Sequence, residues 1–137
     1  MAINVLVVDD SGVGRAMLIK ALKLSGVQMG EIHQAPDGAQ GLEMMGRHWI
    51  DLVFVDVNMP VMNGEQMIVA IRANPVWSDL PIVVVSTESS QTRVDRLVQM
   101  GSRFLHKPFP AEAVRDLLSE IPGVPYERDP AGHAAGG

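Results

Sequence analysis

The sequence of 137 residues contains no cysteine, so it forms neither a disulfide framework nor a thiolate site. Basic residues are also scarce, because 11 Lys and Arg stand against 16 Asp and Glu, for a formal net charge of −5. Phosphate backbones select basic surfaces, so this balance argues against a nucleic acid as the main partner. No apolar run approaches the roughly 18 residues expected of a membrane span, and no basic n-region or long apolar h-region opens the chain. We therefore expect a soluble cytoplasmic protein.

The remaining composition is that of one folded domain. Hydrophobic residues make up 47% of the chain and charged residues 20%, an ordinary globular balance. The stretch from 122 to 137 holds three prolines and four glycines and has little apolar content. We predict one domain over residues 1–121 and a flexible C-terminal tail over 122–137.

Apolar runs alternate with helical patterns along the chain. The runs at 4–8, 51–55 and 82–86 are rich in valine and continuously apolar, as expected of parallel strands that are covered on both faces. Two weaker strand candidates, 31–34 and 103–106, are indicated mainly by their place in the alternation. Five stretches between and after the strands show a 3.6-residue apolar period, at 17–24, 39–49, 64–71, 94–98 and 114–121.

Five βα units in series predict an α/β fold with a parallel sheet, right-handed crossovers and helices on both faces. The common flavodoxin-like order for five strands is 2-1-3-4-5, which makes the first and third strands neighbours. In such sheets, ligands bind beyond the carboxyl ends of the strands, at the point where the strand order reverses.

Polar side chains follow the predicted strands at that edge. Asp9 and Asp10 follow the first strand, Asp56 follows the third, Ser86 ends the fourth, and Lys107 follows the fifth. Carboxylates that are brought together repel each other unless one is protonated or a cation neutralises them. Hard oxygen ligands suit Mg²⁺, which often bridges to phosphate. The pattern therefore predicts a site for Mg²⁺ and a phosphoryl group.

These residue types can carry phosphoryl transfer together. A carboxylate can act as the nucleophile and form an acyl phosphate, while the reaction needs mainly positioning and charge neutralisation. The Lys107 ammonium could pair with one phosphoryl oxygen and the Ser86 hydroxyl could bond another. Taken singly, Asp9 and Asp10 could instead cap a helix, Asp56 could end a strand in a turn, and Lys107 could be a surface lysine. The joint pattern favours the site.

Four motifs in order carry a resemblance to a known family. They are Val7–Ser11 (VVDDS), Val55–Gly64 (VDVNMPVMNG), Val85–Glu88 (VSTE) and His106–Phe109 (HKPF). This pattern resembles the receiver domain of two-component response regulators, over about residues 3–121. The resemblance implies a stand-alone switch that is controlled by phosphorylation, without an output domain of its own.

The resemblance also implies roles for individual residues. Asp56 matches the phosphoacceptor, Asp9 and Asp10 match the acidic pair that holds Mg²⁺ directly or through water, and the backbone carbonyl of Asn58 matches a further ligand. Asp56 itself belongs to the same metal-binding set.

Two further matched positions concern the switch. Ser86 matches the switch hydroxyl, and Phe104 matches the aromatic residue whose ring turns inward when Ser86 moves toward the phosphoryl group.

Other matched positions concern the phosphoryl group itself. Lys107 matches the lysine that contacts phosphate, with a cis bond before Pro108. Asn58 and Glu88 match positions that tune dephosphorylation, and by analogy we hypothesise autodephosphorylation within seconds to minutes.

The resemblance implies two protein partners. The phosphodonor would be a phosphohistidine on a sensor histidine kinase, and the output would pass to a downstream protein through the surface from the fourth helix to the fifth. Chemotaxis is a plausible pathway. Motor-binding regulators usually carry lysines on the last helix, whereas this helix shows Arg115, Asp116, Leu117 and Glu120. A phosphorelay shuttle and a regulator of another pathway are therefore alternatives.

Two other functions are compatible with parts of this pattern. A haloacid-dehalogenase-like phosphatase also forms an aspartyl phosphate, but such enzymes usually carry a second acid two residues after the nucleophile. Here that position is Asn58, and we expect no cap domain that could close over a substrate. A phosphate-independent interaction module would keep the shape without needing the acidic residues. The intact set of Asp9, Asp10, Asp56, Ser86 and Lys107 argues against such a module.

Two other residue types carry weaker expectations. The four histidines (His33, His48, His106 and His133) lack metal-ligand spacing and are expected on the surface or partly buried. Trp49, at the end of the second helical stripe, is expected to be buried or half-buried.

Overall fold

The protein is described by a computed structural model over residues 2–87 and 90–124, which form alternating strands and helices. In chain order the elements are β1 (Ile3–Val8), α1 (Gly12–Lys23), β2 (Met29–Ala35), α2 (Gly38–Arg47), β3 (Leu52–Val55), α3 (Gly64–Ala73), β4 (Ile82–Ser86), α4 (Gln91–Gln99), β5 (Arg103–His106) and α5 (Ala111–Ser119). The bounds of β4 and β5 are those predicted, whereas β2 is longer than the predicted 31–34.

The strands form one parallel sheet in the order β2-β1-β3-β4-β5, which confirms the predicted topology. Val8, the last residue of β1, lies opposite Ala35 of β2 and Val55 of β3. The carboxyl ends of these three strands are therefore level, and the residues that follow them are neighbours.

Hydrophobic cores lie on both faces of the sheet. In β1, Val5 and Val7 pack toward α1 and α5, while Leu6 and Val8 pack toward α2, α3 and α4. All four side chains are at most 1% exposed, which explains why the strand is continuously apolar. Burial on two faces also fixes the register, since a shift by one residue would exchange the two sets.

Short polar side chains cap the starts of α1 to α4, whereas Pro110 precedes α5 without a side-chain cap. Asp37 accepts a hydrogen bond from the Gln40 backbone N–H at 2.8 Å, but the Gln40 side chain donates to the Asp37 carboxylate, so the capping is not reciprocal through the backbone. A complete capping box forms instead between Asn63 and Gln66 at the start of α3. This cap fixes the residue at which α3 begins after the loop that follows β3.

Three observations qualify the sequence expectations. Trp49 is 77% exposed, so the expected burial is wrong: α2 ends at Arg47, and the indole Nε1 donates to Asp51 Oδ1 at 2.9 Å instead of packing inward. Val124 packs against the core on the α1 and α5 face, while residues 125–137 of the predicted tail lie outside the described residues. Within the described ranges, no helix has the length and apolar content needed to cross a membrane.

Candidate phosphoacceptor site

Three side chains from distant parts of the sequence meet at the carboxyl edge of the sheet. Lys107 Nζ donates to Asp9 Oδ2 at 2.9 Å and to Asp56 Oδ2 at 3.1 Å. The two carboxylates are mostly buried, with side-chain exposures of 8% and 12%. The predicted convergence of these groups is therefore present in the structure.

Each strand continues its hydrogen bonding into the site residue that follows it. The backbone N–H of Asp9 donates to Ala35 O at 3.1 Å, that of Asp56 to Val8 O at 2.9 Å, and that of Lys107 to Ser86 O at 2.9 Å. The backbones of the three residues are thus fixed by the sheet, so their side chains are held in place before any ligand binds.

The second oxygen of each carboxylate is held by a local backbone group. Ser11 N–H donates to Asp9 Oδ1 at 2.9 Å, and Asn58 N–H donates to Asp56 Oδ1 at 3.1 Å.

A third carboxylate completes the acidic cluster. Asp10 is exposed, yet Asp9, Asp10 and Asp56 each offer an oxygen within 4.8 Å of the others. Three carboxylates around one ammonium group leave an excess of negative charge, and this all-oxygen donor set fits a hard cation such as Mg²⁺.

The charge of Lys107 is reinforced by its partners. Burial by itself lowers the pKa of this lysine, but the hydrogen bonds and charges of Asp9 and Asp56 together outweigh burial and raise the pKa above its ordinary value of 10.5. Lys107 therefore stays protonated throughout the neutral range.

Ser86 and Phe104, two further predicted residues, lie on the neighbouring strands β4 and β5. Ser86 is buried at the end of β4 and pairs in register with His106 of β5. Phe104 is half-buried, and its ring centroid lies 4.6 Å from that of His106 at an interplanar angle of 58°. The Lys107–Pro108 bond is cis, as the resemblance implied. Glu88 lies outside the described residues.

Comparison with known proteins agrees with this geometry. The sequence model of the family named response regulator receiver domain matches residues 5–119 of this chain. The chain belongs to this family. A probable chemotaxis protein CheY of Rhizobium etli is 33% identical to the receiver over 123 residues, which are 89% of this chain and 94% of that relative.

Two further similar proteins place the receiver in different contexts. The solved structure of the Vibrio cholerae chemotaxis protein CheY4 has a TM-score of 0.78 and 31% identity, and the match covers 88% of this chain and 99% of that one. A segment of the sensor histidine kinase TmoS of Ectopseudomonas mendocina is 31% identical over 119 residues, which are 86% of this chain and 12% of the kinase. The chain is therefore similar both to proteins of about its own length and to a short segment of a much longer protein.

Arg15 is a residue of the receiver that sequence reasoning did not single out. From the first turns of α1, its Nη1 donates to the backbone carbonyl of Asp9, and its Nε donates to Gln34 Oε1 at 3.0 Å. This contact ties α1 and β2 to the residue that begins the acidic cluster. The sequence gives no signal for it beyond a basic residue shortly after two acids.

The loop between β3 and α3 contains a strained residue. Val61 has a φ of +65° and is 83% exposed. A β-branched residue in this left-handed region is unfavourable, because its Cβ approaches the following carbonyl oxygen. The receiver thus holds an apolar, strained side chain in the solvent a few residues after Asp56.

Substitution of Val61 by asparagine is expected to stabilise the receiver by about 1 kcal/mol. Asparagine tolerates the left-handed conformation better than valine, and the exposed valine contributes no core burial. Urea unfolding followed by circular dichroism measures the change. A lower urea midpoint for Val61→Asn than for the parent chain would show that the strain is not relieved in this way.

Proposed function

We propose that this receiver accepts a phosphoryl group on Asp56 from a phosphohistidine of a sensor histidine kinase and then signals through a protein partner. The observation that supports this proposal best is the pairing of the mostly buried Asp56 carboxylate with Lys107 beside two further carboxylates. Phosphoryl transfer mainly needs positioning of the reacting groups and neutralisation of charge, and a cluster of this kind can supply both.

In the proposed reaction, an Asp56 carboxylate oxygen attacks phosphorus, and the bond between phosphorus and the histidine nitrogen of the donor breaks. Lys107 moves its hydrogen bond from the free carboxylate to a phosphoryl oxygen and offsets part of the added charge. Asp9, Asp10 and the backbone carbonyl of Asn58, with Asp56, would hold Mg²⁺. When bound, this ion supplies positive charge to the phosphoryl oxygens.

The donor needs access to this edge of the sheet. Next to Lys107, a hollow of about 300 Å³ is lined by apolar and small groups, and Met17 on its rim is 60% exposed. Val13, on the same helix, is 72% exposed. We propose that the kinase domain carrying the phosphohistidine packs here, so that its imidazole reaches Asp56.

Phosphorylation adds roughly −1.5 to −2 charge at this edge. The hydroxyl of Ser86 would bond the new phosphoryl oxygens, and Phe104 would leave its present contact with His106 for the space that Ser86 vacates. The surface formed by α4, β5 and α5 then presents different groups to the target. A nearly complete change of population requires about 5.5 kcal/mol of differential stabilisation between the two states.

The pathway is proposed by similarity to the chemotaxis proteins named above, with a phosphorelay as the alternative. The receiver would be a signalling switch and not a turnover enzyme. Asn58, which is exposed beside Asp56, would control how water reaches the acyl phosphate, together with Glu88. Loss of the phosphoryl group within seconds to minutes is the corresponding expectation.

Incubation with acetyl phosphate tests phosphoryl uptake without the kinase. Intact-mass spectrometry of the full chain is expected to show one phosphoryl adduct in Mg²⁺ buffer, much less in the presence of a chelator, and none in Asp56→Asn. Asp51→Asn is a matched control, because Asp51 lies at the other end of β3; its adduct should persist.

The same incubation separates the rival functions. Continuous hydrolysis of many small phosphoesters, measured as released phosphate, would favour the phosphatase. Absence of both adduct and turnover would favour a phosphate-independent module. A single adduct that depends on Asp56 supports the proposed switch.

A further inference from the structure

A second cluster of possible metal ligands lies away from the acidic edge. Glu31, His33 and His48 each offer one ligand atom, and the three atoms lie within 4.8 Å of one another. His33 Nε2 is 2.9 Å from Glu31 Oε1. The rings of His33 and His48 are stacked, with centroids 4.0 Å apart and an interplanar angle of 23°. The fold thus brings together two histidine side chains whose spacing in the sequence does not predict a metal site.

The cluster lies on the seam between the edge strand β2 and the end of α2. Glu31 and His33 are two residues apart in β2, so their side chains share one face of the sheet. His33 lies opposite Leu6, which packs toward α2, and His48 is the C-cap residue that directly follows α2. Since Leu6 is three residues before Asp9, the cluster is about 10 Å from the acidic site along the strand direction.

Neighbouring groups that are not ligands fix the backbones of these residues. Asn4 Oδ1 accepts the Glu31 backbone N–H at 2.9 Å, and the backbone N–H of Asn4 donates to Asp51 Oδ2 at 2.8 Å. The His48 backbone N–H donates to Met44 O at 2.9 Å. Ligand-bearing segments are therefore held together by the fold before an ion arrives, which lowers the ordering cost of binding.

The donor set indicates which ions would bind. Two imidazole nitrogens and one carboxylate oxygen form the three-ligand set with an open fourth position that Zn²⁺ takes in proteins. Imidazole favours Zn²⁺, Cu²⁺ and Ni²⁺, whereas the all-oxygen cluster of Asp9, Asp10 and Asp56 favours Mg²⁺. The two clusters thus differ in the chemistry of the ion that they select.

We propose that Glu31, His33 and His48 form a second metal site, specific for Zn²⁺ or a related transition-metal ion, that joins β2 to the end of α2. The ion takes the place of the proton between His33 Nε2 and Glu31 Oε1, and the ring proton of His33 then resides on Nδ1. The His33 side chain is 15% exposed and that of Glu31 is 69% exposed. The protein therefore shields the ion on the His33 side, and solvent reaches it on the Glu31 side. Binding to the folded state alone stabilises it by mass action.

Titration of the full chain with zinc chloride tests this site. Calorimetry is performed with excess Mg²⁺, which occupies the acidic edge, and thermal unfolding is followed with and without Zn²⁺. In His33→Gln and in His48→Gln, we expect the Zn²⁺ affinity to fall at least about tenfold and the Zn²⁺-dependent rise in Tm to disappear. Glu31→Gln should weaken binding in the same direction.

Two histidine variants serve as controls. His106 is exposed on β5, and His133 lies outside the described residues, so His106→Gln and His133→Gln should bind Zn²⁺ as the parent does. Circular dichroism without metal shows whether each variant is folded. Because His48 and Glu31 are not core residues, these variants keep the test valid even if His33→Gln is unfolded.

Two results would overturn the proposal. One is an unchanged Zn²⁺ affinity in folded His48→Gln and Glu31→Gln, which would leave the cluster a hydrogen-bonded histidine pair. The other is loss of Zn²⁺ binding in His133→Gln or Asp9→Asn, which would assign the ion to another part of the chain. Neither result bears on phosphoryl uptake at Asp56, which is measured separately.

Discussion

Replacement of Lys107 by methionine is expected to lower the free energy of unfolding by about 3 kcal/mol in metal-free buffer. The substitution keeps the apolar stem but leaves the mostly buried carboxylates of Asp9 and Asp56 without their shared cation. Breaking a buried pair by removing one partner costs about 3–5 kcal/mol, and the lower end applies because Lys107 is 25% exposed. Urea unfolding in a chelator-containing buffer measures the loss.

A matched control is Lys23→Met at the exposed end of α1, which should change stability by less than about 0.5 kcal/mol. Mg²⁺ should restore part of the loss in Lys107→Met, since a divalent cation can replace the missing charge. Equal stability of Lys107→Met and Lys23→Met in metal-free buffer would contradict the electrostatic account of the site.

The pH dependence of the same variant has a defined sign. The pKa of Lys107 is raised in the folded state, so its stabilising contribution is complete below the ordinary value of 10.5 and is lost as the pH rises through the higher folded value. The parent chain should therefore lose more stability than Lys107→Met above about pH 10.5. Unfolding midpoints in urea at a series of alkaline pH values measure this difference.

Substitution of Gly64 by alanine is expected to destabilise the protein by about 3 kcal/mol and to reduce phosphoryl uptake. A Cβ at Gly64 would overlap the backbone carbonyl oxygen of Asp56 and lie 2.9 Å from Val57 Cα. Both contacts are with backbone, which cannot move aside as a flexible side chain can. Either α3 or the segment after β3 must shift, and that segment carries Asp56.

Gly46 in α2 provides the matched control. A Cβ there would meet nothing within 4 Å, and alanine favours a helix over glycine by about 0.8 kcal/mol. Gly46→Ala should therefore stabilise the protein, while Gly64→Ala destabilises it. If the two substitutions changed the urea midpoint in the same direction, close backbone packing at Gly64 would not explain its place in the motif.

Most of the scaffold follows from the sequence because the sheet is buried on both faces. Continuous valine-rich runs have few alternatives to parallel strands under helices, and the strand order then brings Asp9 and Asp56 to one edge. The contact of both with Lys107 could be anticipated for the same reason. Their individual roles in the reaction stay predictions, and so does the domain boundary at residue 121.

Features that depend on three-dimensional neighbours were not predictable from local pattern. Trp49 shares the apolar period of α2, but the helix ends two residues earlier, and the ring turns outward to a carboxylate. The stacking of His33 and His48 depends on the way in which α2 returns to the edge strand. The left-handed backbone of Val61 contradicts the preference of valine, so only the fold can reveal it.

Chemical trapping of the acyl phosphate identifies the residue that receives the phosphoryl group, which we propose to be Asp56. Borohydride reduces an acyl phosphate to the alcohol with release of phosphate, so phosphorylated aspartate becomes homoserine at the position that carried the group. After treatment with acetyl phosphate and Mg²⁺, peptide mass spectrometry should find homoserine at position 56 alone. Homoserine at position 9 or 10, or at no position in a chain that has gained the phosphoryl mass, would contradict the account.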